Sequence, residues 1–174
     1  MGRNQRSSAH LLRKLAGALL LFLSVSLGSA SLPPVRFFTA ERLYQEMILE
    51  ESMKQSVDPA LVMAIVAQES SFRWWAVSPS GAIGLGQIMP GTAMEVCGPA
   101  IIAIIFHPRI NLRCSIRYLA AIVAMCNGDK VCTLAGYNQG PWFPGANGRP
   151  VTVEAMDYVP RVLKFYAVYS LNRW

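Results

Sequence analysis

The sequence predicts an all-α fold in a single domain, on the evidence of its length, its helix start signals and its apolar spacing. A chain of 174 residues is typical of one domain. Asp58-Pro59 is a strong start signal, because Asp caps a helix and Pro is accepted at the first helical position. Leu61 and Ile65 are four residues apart, as on one face of a helix. The sequence contains neither an internal repeat nor a composition shift that would mark a second domain.

The first 30 residues have the pattern of a secretory signal peptide. Four basic side chains precede an apolar run, Leu15 to Leu27, and Gly28-Ser29-Ala30 then provides small residues for signal peptidase. The run is shorter than the roughly 20 residues that a membrane span needs. We therefore expect a signal peptide over residues 1–30, a mature domain over residues 31–174, and no stable transmembrane span after cleavage. An uncleaved N-terminal anchor is the alternative.

Loss of the leader changes the charge of the protein. All ten acidic residues lie beyond Ala30, whereas four of the sixteen basic residues do not, so the mature chain carries a net charge of +2. Nucleic-acid binding requires a dense basic stripe, which this sequence lacks, so we expect no nucleic-acid partner. The mild positive balance suits contact with an anionic polymer or a membrane surface.

The four cysteines predict disulfides. Cys97, Cys114, Cys126 and Cys132 all lie in the mature part, and an even count in an exported chain indicates two bridges with three possible connectivities. We prefer Cys126–Cys132 across the turn Asn127-Gly128-Asp129, with Cys97–Cys114 as the second bridge. Zinc is disfavoured, because the sequence has no C-x-x-C pair and retains one histidine after export.

The spacing of apolar residues and the start and stop signals divide the mature chain into helices and loops. Expected helices run from Thr39 to about Ser52, from Pro59 to about Ser70, from near Pro90 to before Gly98, from about Asn111 to Cys126, from Lys130 to about Asn138, and from near Val159 onwards. The helix from about Asn111 is predicted to bury Leu112, Ile116, Leu119, Ala120 and Val123. The last helix is predicted to bury Val159, Val162, Leu163, Tyr166 and Tyr169. Two Gly- and Pro-rich segments, Ser78–Gln87 and Gln139–Pro150, are expected to be loops.

Glu69 is the first candidate for chemistry. It follows the apolar run Ala60 to Ala67 and shares a helical stripe with Leu61 and Ile65. Desolvation and the negative end of the helix dipole both act to raise the pKa of its carboxyl. A carboxyl that is protonated near neutral pH can give its proton to a leaving oxygen, as glycosidic cleavage requires. The alternative is an ordinary exposed glutamate at the end of a helix.

Three motifs occur in the order and approximate spacing of a known family. They are Glu69-Ser70 in "VAQESSF", Gly84-Leu85-Gly86-Gln87 in "SPSGAIGLGQIMPGTA", and Ala135-Gly136-Tyr137-Asn138 in "LAGYNQG". Together with "NLRCSIRYLA", they resemble the catalytic domain of the lytic transglycosylase family, which is related to g-type lysozymes. The resemblance covers roughly Asp58 to Pro141 and implies a lysozyme-like fold with Gly/Pro-rich active-site loops.

The resemblance also implies a reaction. Family members are lyases that cleave peptidoglycan between N-acetylmuramic acid and N-acetylglucosamine, and they use no cofactor and no metal. One glutamate, here Glu69, acts first as acid and then as base, while the sugar's own 6-hydroxyl attacks to form a 1,6-anhydro end. Such an enzyme needs no second carboxylate of the kind other glycosidases use. The nearest acids on either side in sequence, Asp58 and Glu95, are not obvious partners.

The motifs imply further roles. Gln87 matches the family glutamine that hydrogen-bonds the sugar chain, and Tyr137 matches the tyrosine that supports the catalytic carboxyl. Asn138 in the same motif is expected to bind substrate. Ser70 is expected to contribute to the substrate site by steadying the carboxyl, or else to end its helix through a local bond. Gly86 stands where the family usually has Met, as the motif reads GLMQ there, and its lack of a side chain removes an apolar wall.

Two other functions remain open. One is a hydrolytic muramidase that uses water, and the other is a non-catalytic peptidoglycan-binding component of an envelope-spanning machine. The expected partner is the peptidoglycan glycan strand, and the expected location is the periplasm. Compact relatives accompany secretion or conjugation systems, so the resemblance further implies components of such a system as partners in local wall opening.

Overall fold

A computed structural model describes residues 40–140 and 151–171, which all belong to one compact unit, Phe38–Trp174. The expected signal peptide, the Thr39 cap of the first helix and most of the expected loop after Gln139 lie outside the described residues.

Within the described residues the architecture is helical, as predicted. The α-helices are α1 (Ala40–Gln55), α2 (Pro59–Ser70), α3 (Pro90–Cys97), α4 (Pro108–Met125), α5 (Lys130–Gln139) and α6 (Val153–Leu171), and a 3-10 helix spans Pro99–Ile104. Extended pairing in the described part is confined to two isolated bridges, Val77 with Ile83 and Ile83 with Ile88. None of the helices in the described ranges is long and apolar enough to cross a membrane.

Helix α2 is the centre of the fold. Its start is capped as the sequence predicted, since the Asp58 carboxylate accepts from the Ala60 N–H at 2.9 Å and Pro59 takes the first position. Every residue from Ala60 to Ala67 is buried, and α2 contacts α1 and, most extensively, α6. A helix that is apolar all round needs such a buried position. Its C-terminal end, which carries Glu69, is therefore held by packing on several sides.

The remaining helices close the core around α2. Helix α4 contacts α1, α3 and α5, and α5 also contacts α6. Leu112, Ile116 and Leu119 of α4 are buried, as predicted, whereas Ala120 and Val123 are half-buried. On α6, Val159, Val162 and Tyr169 are buried, and Leu163 and Tyr166 are half-buried.

Two helix starts differ from the prediction. Helix α4 begins at Pro108 rather than near Asn111, and α6 begins at Val153 rather than near Val159. In the second case Pro160 lies inside α6, one position after the expected start. The true cap is Thr152, whose hydroxyl oxygen accepts from the Ala155 N–H at 3.1 Å. Burial of the α6 face compensates for the backbone bond that Pro160 cannot donate.

The predicted disulfide pairing is confirmed. Cys97–Cys114 joins the end of α3 to α4, with the two Cα atoms 5.8 Å apart. Cys126–Cys132 joins the end of α4 to α5, with the two Cα atoms 5.7 Å apart. Both bridges thus brace the helices that surround the loop between α2 and α3.

Candidate active site

Glu69 lies in the last turn of α2, directly before a sharp reversal of the chain. Ser71 and Phe72 have positive φ angles of 50° and 60°, and the Phe72 side chain is buried. The Arg73 Nε donates to the Ser70 carbonyl at 2.9 Å and so satisfies one carbonyl at the helix end. Positive φ at a bulky residue is strained and persists where the surrounding structure enforces it. The reversal therefore fixes the end of the helix that presents Glu69.

The Glu69 carboxyl is largely buried and has one hydrogen-bond donor among the described residues. Its pKa is raised to about 7, because the upward effects of burial, which is the largest cause, and of the Glu154 charge outweigh the lowering by the hydrogen bond from Tyr158. The Tyr158 hydroxyl donates to Glu69 Oε1 at 2.7 Å. The predicted direction of the pKa change is confirmed, with burial as the main cause. A carboxyl with this pKa is partly protonated at neutral pH and is suited to donate a proton.

The carboxyl faces a cleft of about 510 Å³. The cleft is lined by Glu69, Ser78, Pro79, Ser80, Ala82, Gln87, Ile88, Met89, Thr92, Tyr118, Tyr137, Asn138, Gln139, Gly140 and Glu154. The lining comes mainly from the loop between α2 and α3, the end of α5 and the start of α6. The described residues contain no cluster of His, Cys, Asp and Glu that could hold a metal ion.

Asn111 of α4 braces the glycine-rich loop that lines part of the cleft. Its buried amide donates to the carbonyls of Ile83 and Ile105 at 2.9 and 3.2 Å, and its oxygen accepts from the Gly86 N–H at 2.9 Å. A Cβ at Gly84, where φ is 76°, would overlap this amide. The loop thus depends on glycine for its close approach to α4.

Gln87 lines the cleft at the end of this loop, with a φ of 47°. Both hydrogen bonds that its side-chain NH2 group donates go to the loop itself. Nε2 donates to the Ala76 carbonyl at 3.1 Å and to the Gly84 carbonyl at 2.9 Å. Only its carbonyl oxygen is left to contact a ligand. Gln87 therefore presents an acceptor to the cleft.

Tyr137 does not donate a hydrogen bond to the Glu69 carboxyl in the way the motif implied. Its hydroxyl donates to the Gly86 carbonyl at 2.8 Å, and Tyr158 takes the predicted role at Glu69 instead. Burial raises the pKa of both phenols well above their usual range, so both remain neutral donors. Tyr137 still lines the cleft and packs against the Tyr118 ring, with centroids 5.4 Å apart.

Of the two remaining predicted site residues, Asn138 lies at the cleft and Ser70 does not. Asn138 lines the cleft, in agreement with the expected substrate contact. Ser70 is fully buried, and its hydroxyl donates to the Val66 carbonyl at 3.2 Å. The expected contribution of Ser70 to the substrate site is therefore corrected, because its side chain ends the helix locally and has no exposed surface for a glycan.

A second carboxylate, that of Glu154, lines the same cleft. Neither Asp58, which caps α2, nor Glu95 is part of the lining, in agreement with the expectation that these two acids are not partners of Glu69. Glu154 and Tyr158 were not among the predicted site residues, because both precede the expected start of α6. The 3- and 4-residue spacing of Ala155, Tyr158 and Val159 was the signal that could have found this first turn.

Gly86 does not open the cleft wall as expected. A Cβ at this position would lie 2.6 Å from the Ser115 Cβ and 3.1 Å from the Tyr137 hydroxyl, so it would point into the protein. The interior between the loop and α4 is filled by Ser115 and Tyr137 instead. The absence of a side chain at Gly86 is thus a packing feature.

Comparison with known proteins identifies the family. Residues 46–149 match the Transglycosylase SLT domain model, which is more than half of the chain. The chain belongs to the Transglycosylase SLT domain family. It is similar to the soluble lytic murein transglycosylase of Escherichia coli (strain K12), with 28% identity over 146 residues that cover 72% of this chain and 23% of the relative. The relative of the same name from Salmonella typhimurium is also 28% identical, over 149 residues, with the same coverage.

Solved structures of this family share the fold. The 70-kDa soluble lytic transglycosylase of Escherichia coli matches with a TM-score of 0.63 and 27% identity, covering 74% of this chain and 24% of that one. A lytic transglycosylase of Pseudomonas aeruginosa matches with a TM-score of 0.62 and 27% identity, at the same coverage. The all-α, lysozyme-like prediction is confirmed. This SLT-domain chain spans only about a quarter of the length of those relatives.

Proposed function

We propose that this protein is a peptidoglycan lytic transglycosylase. It cleaves the β-1,4 bond between N-acetylmuramic acid and N-acetylglucosamine and leaves 1,6-anhydromuramic ends. The observation that carries the proposal is the buried Glu69 carboxyl, which faces the cleft with a pKa of about 7 and is oriented by Tyr158. Membership of the SLT-domain family supports the substrate class.

The proposed reaction passes one proton out of Glu69 and another back to it. The carboxyl donates its proton to the glycosidic oxygen as the bond from that oxygen to the muramic C1 breaks. The 6-hydroxyl oxygen of the same sugar attacks C1, and its proton returns to the Glu69 carboxylate. The hydroxyl of Tyr158 keeps the carboxyl oriented in both steps. Atoms and charges balance without water, metal or cofactor.

Hydrolysis is the second candidate, and Glu154 is the observation that favours it. A water-using muramidase needs a base or nucleophile opposite the acid, and Glu154 is a second carboxylate of the same cleft. A non-catalytic binding role is disfavoured, because a merely structural carboxyl gains nothing from a site that raises its pKa to about 7.

Mass spectrometry of digested peptidoglycan separates the candidates. The purified protein is expected to release muropeptides with anhydro ends, each lighter by one water than the product of a lysozyme run in parallel. Reducing muramic ends alone would establish the hydrolytic reading. Glu69→Gln serves as the inactive control, and no release by the wild-type protein would leave only a binding role.

We also propose that the protein is exported to the periplasm. Residues 1–30 are then the signal peptide and residues 31–174 the mature domain. The charged and apolar leader supports it, and two disulfides fit an oxidising compartment. N-terminal sequencing of the protein from a periplasmic extract is expected to begin at Ser31. A chain that retains Met1 in the membrane fraction would favour the anchored alternative.

The finer biological setting is local opening of the wall beside a secretion or conjugation apparatus, with components of that apparatus as partners. Support comes from the resemblance to compact relatives of such systems. Deletion of the gene is expected to lower secretion or conjugation without lysing the cells. Restoration by the wild-type gene but not by one encoding Glu69→Gln would tie the effect to catalysis, and unaffected transfer would contradict this setting.

A further inference from the structure

Gln139 is a cleft residue that the three motifs leave without a role. It is the last residue of α5, one position after Asn138, and it lines the cleft with its side chain half-buried. Its carbonyl oxygen accepts two hydrogen bonds from Thr152, one from the backbone N–H at 2.9 Å and one from the hydroxyl at 3.1 Å. The side chain thus joins the end of α5 to the cap of α6.

These two bonds determine which way the Gln139 amide is turned. A backbone N–H can only donate, so the atom that faces Thr152 must be the carbonyl oxygen Oε1. The Nε2 group then lies on the other side of the amide, and neither of its N–H groups has a hydrogen-bond partner in the described part of the chain. A donor of fixed orientation is therefore available to whatever occupies the cleft.

The support for this donor is rigid. The Thr152 hydroxyl that donates to Gln139 also accepts from the Ala155 N–H at 3.1 Å, and the Thr152 carbonyl accepts from the Met156 N–H at 3.0 Å. Ala155 is fully buried, so the first turn of α6 is anchored in the core. A polar group held by regular elements in this way positions a ligand more accurately than a free loop residue does.

Gln139 and Gln87 offer opposite hydrogen-bonding groups to the same cleft. Gln87 uses its N–H groups on the loop and presents an oxygen, whereas Gln139 uses its oxygen on Thr152 and presents N–H groups. The acetamido groups of the proposed glycan carry one N–H donor and one carbonyl acceptor each. A cleft with one acceptor amide and one donor amide is complementary to such groups.

We propose that Gln139 is a substrate-positioning residue whose Nε2 donates a hydrogen bond to a carbonyl or hydroxyl oxygen of the glycan, with Thr152 holding the amide in place. The inference rests on the proposed function, because it assigns a role at the same cleft. It concerns binding, so its main effect appears in KM.

Gln139→Glu is the decisive variant. It keeps the oxygen that accepts from Thr152 and removes both N–H donors, with almost no change in shape. Loss of one net hydrogen bond is expected to raise KM for peptide-free glycan strands about fivefold. The melting temperature is expected to remain that of the wild type. Gln45→Glu, on α1 and outside the cleft lining, controls for the change in net charge and should leave KM unchanged.

Thr152→Val tests the alternative that Gln139 only joins two helices. It removes the hydroxyl that binds Gln139 and caps α6, so it lowers the melting temperature whichever role is correct. If Gln139→Glu has the KM of the wild type, or lowers the melting temperature as Thr152→Val does with KM unchanged, the substrate role is overturned.

A binding measurement tests this inference independently of the proposed reaction. The N-acetylglucosamine hexamer is titrated by calorimetry into Glu69→Gln and into the double variant with Gln139→Glu. A roughly fivefold weaker affinity of the double variant supports the donor role even if the wild-type protein releases no anhydro products. Equal affinities would overturn it even if the transglycosylase reaction is confirmed.

Discussion

Replacing Glu69 with glutamine removes the proton that the carboxyl donates in the proposed mechanism and leaves the shape of the side chain nearly unchanged. The Tyr158 hydroxyl, which donates to Oε1 at 2.7 Å, can donate to the amide oxygen of glutamine in the same way. The fold should therefore survive the change. We expect Glu69→Gln to abolish cleavage and, in addition, to make the protein more stable at neutral pH.

The gain in stability follows from the raised pKa. The carboxyl has a pKa of about 7 when folded, against a usual value of 4.5. The folded state therefore holds the proton more tightly than the unfolded chain does, and the stability that Glu69 contributes is complete below about pH 4.5 and falls as the pH rises towards 7. A pKa difference of one corresponds to about 1.4 kcal/mol, so the penalty at pH 7 is on the order of 3 kcal/mol. Glutamine has no such penalty.

Urea denaturation of both proteins at several pH values between 4 and 8 measures this penalty. The free energy of unfolding of Glu69→Gln should match that of the wild type near pH 4 and exceed it by about 3 kcal/mol near pH 7. Glu46→Gln provides the control, since Glu46 is exposed on α1. Release of soluble muropeptides is assayed in parallel.

Two results would refute the reasoning in different ways. If Glu69→Gln still releases muropeptides, Glu69 is not the acid. If the variant is inactive but its stability relative to the wild type does not change with pH, the pKa of Glu69 is not raised in the folded protein. Glu69 then remains the catalytic candidate.

Three further changes test the surroundings of the carboxyl. Tyr158→Phe removes the bond that lowers the pKa of Glu69, so we expect the alkaline limb of the pH–rate profile to move to higher pH and kcat to fall about ten- to a hundredfold as orientation is lost. Glu154→Gln removes a charge that raises the same pKa, so cleavage should persist with the alkaline limb moved to lower pH; complete loss of activity would instead favour hydrolysis. Gly86→Ala places a methyl group against Ser115 and should lower the free energy of unfolding in urea by about 1–3 kcal/mol, with partial recovery when Ser115→Gly is added.

Local signals predicted the elements that carry the acid. The cap at Asp58 and the proline after it define the start of α2, because both act within one turn of the chain. The apolar run that follows forces this helix into the core and so fixes the position of Glu69, which lines the cleft at the end of the helix. The Cys126–Cys132 bridge was likewise predictable, since only six positions separate its two cysteines.

The partners of the acid could not be predicted in the same way. Tyr158 is 89 positions from Glu69 in sequence, and its contact depends on how α6 packs against α2 rather than on any spacing. Tyr137 lies in a motif and faces the cleft, yet its hydroxyl is taken by the Gly86 carbonyl. The motif therefore indicated that Tyr137 lies near the site, whereas tertiary packing determines that Tyr158 donates the hydrogen bond to Glu69.

Two residues in the first turns of α6 act on the pKa of Glu69 in opposite directions. Glu154 and Tyr158 are four positions apart and so lie on the same face of the helix. The charge of Glu154 raises the pKa of Glu69, while the hydrogen bond from Tyr158 lowers it, and burial adds the larger upward effect. Because both residues belong to one helix whose first turn is capped by Thr152, any shift of that turn changes the two influences together. The bond from Gln139 to Thr152 thus links the cleft wall to the helix that tunes the acid.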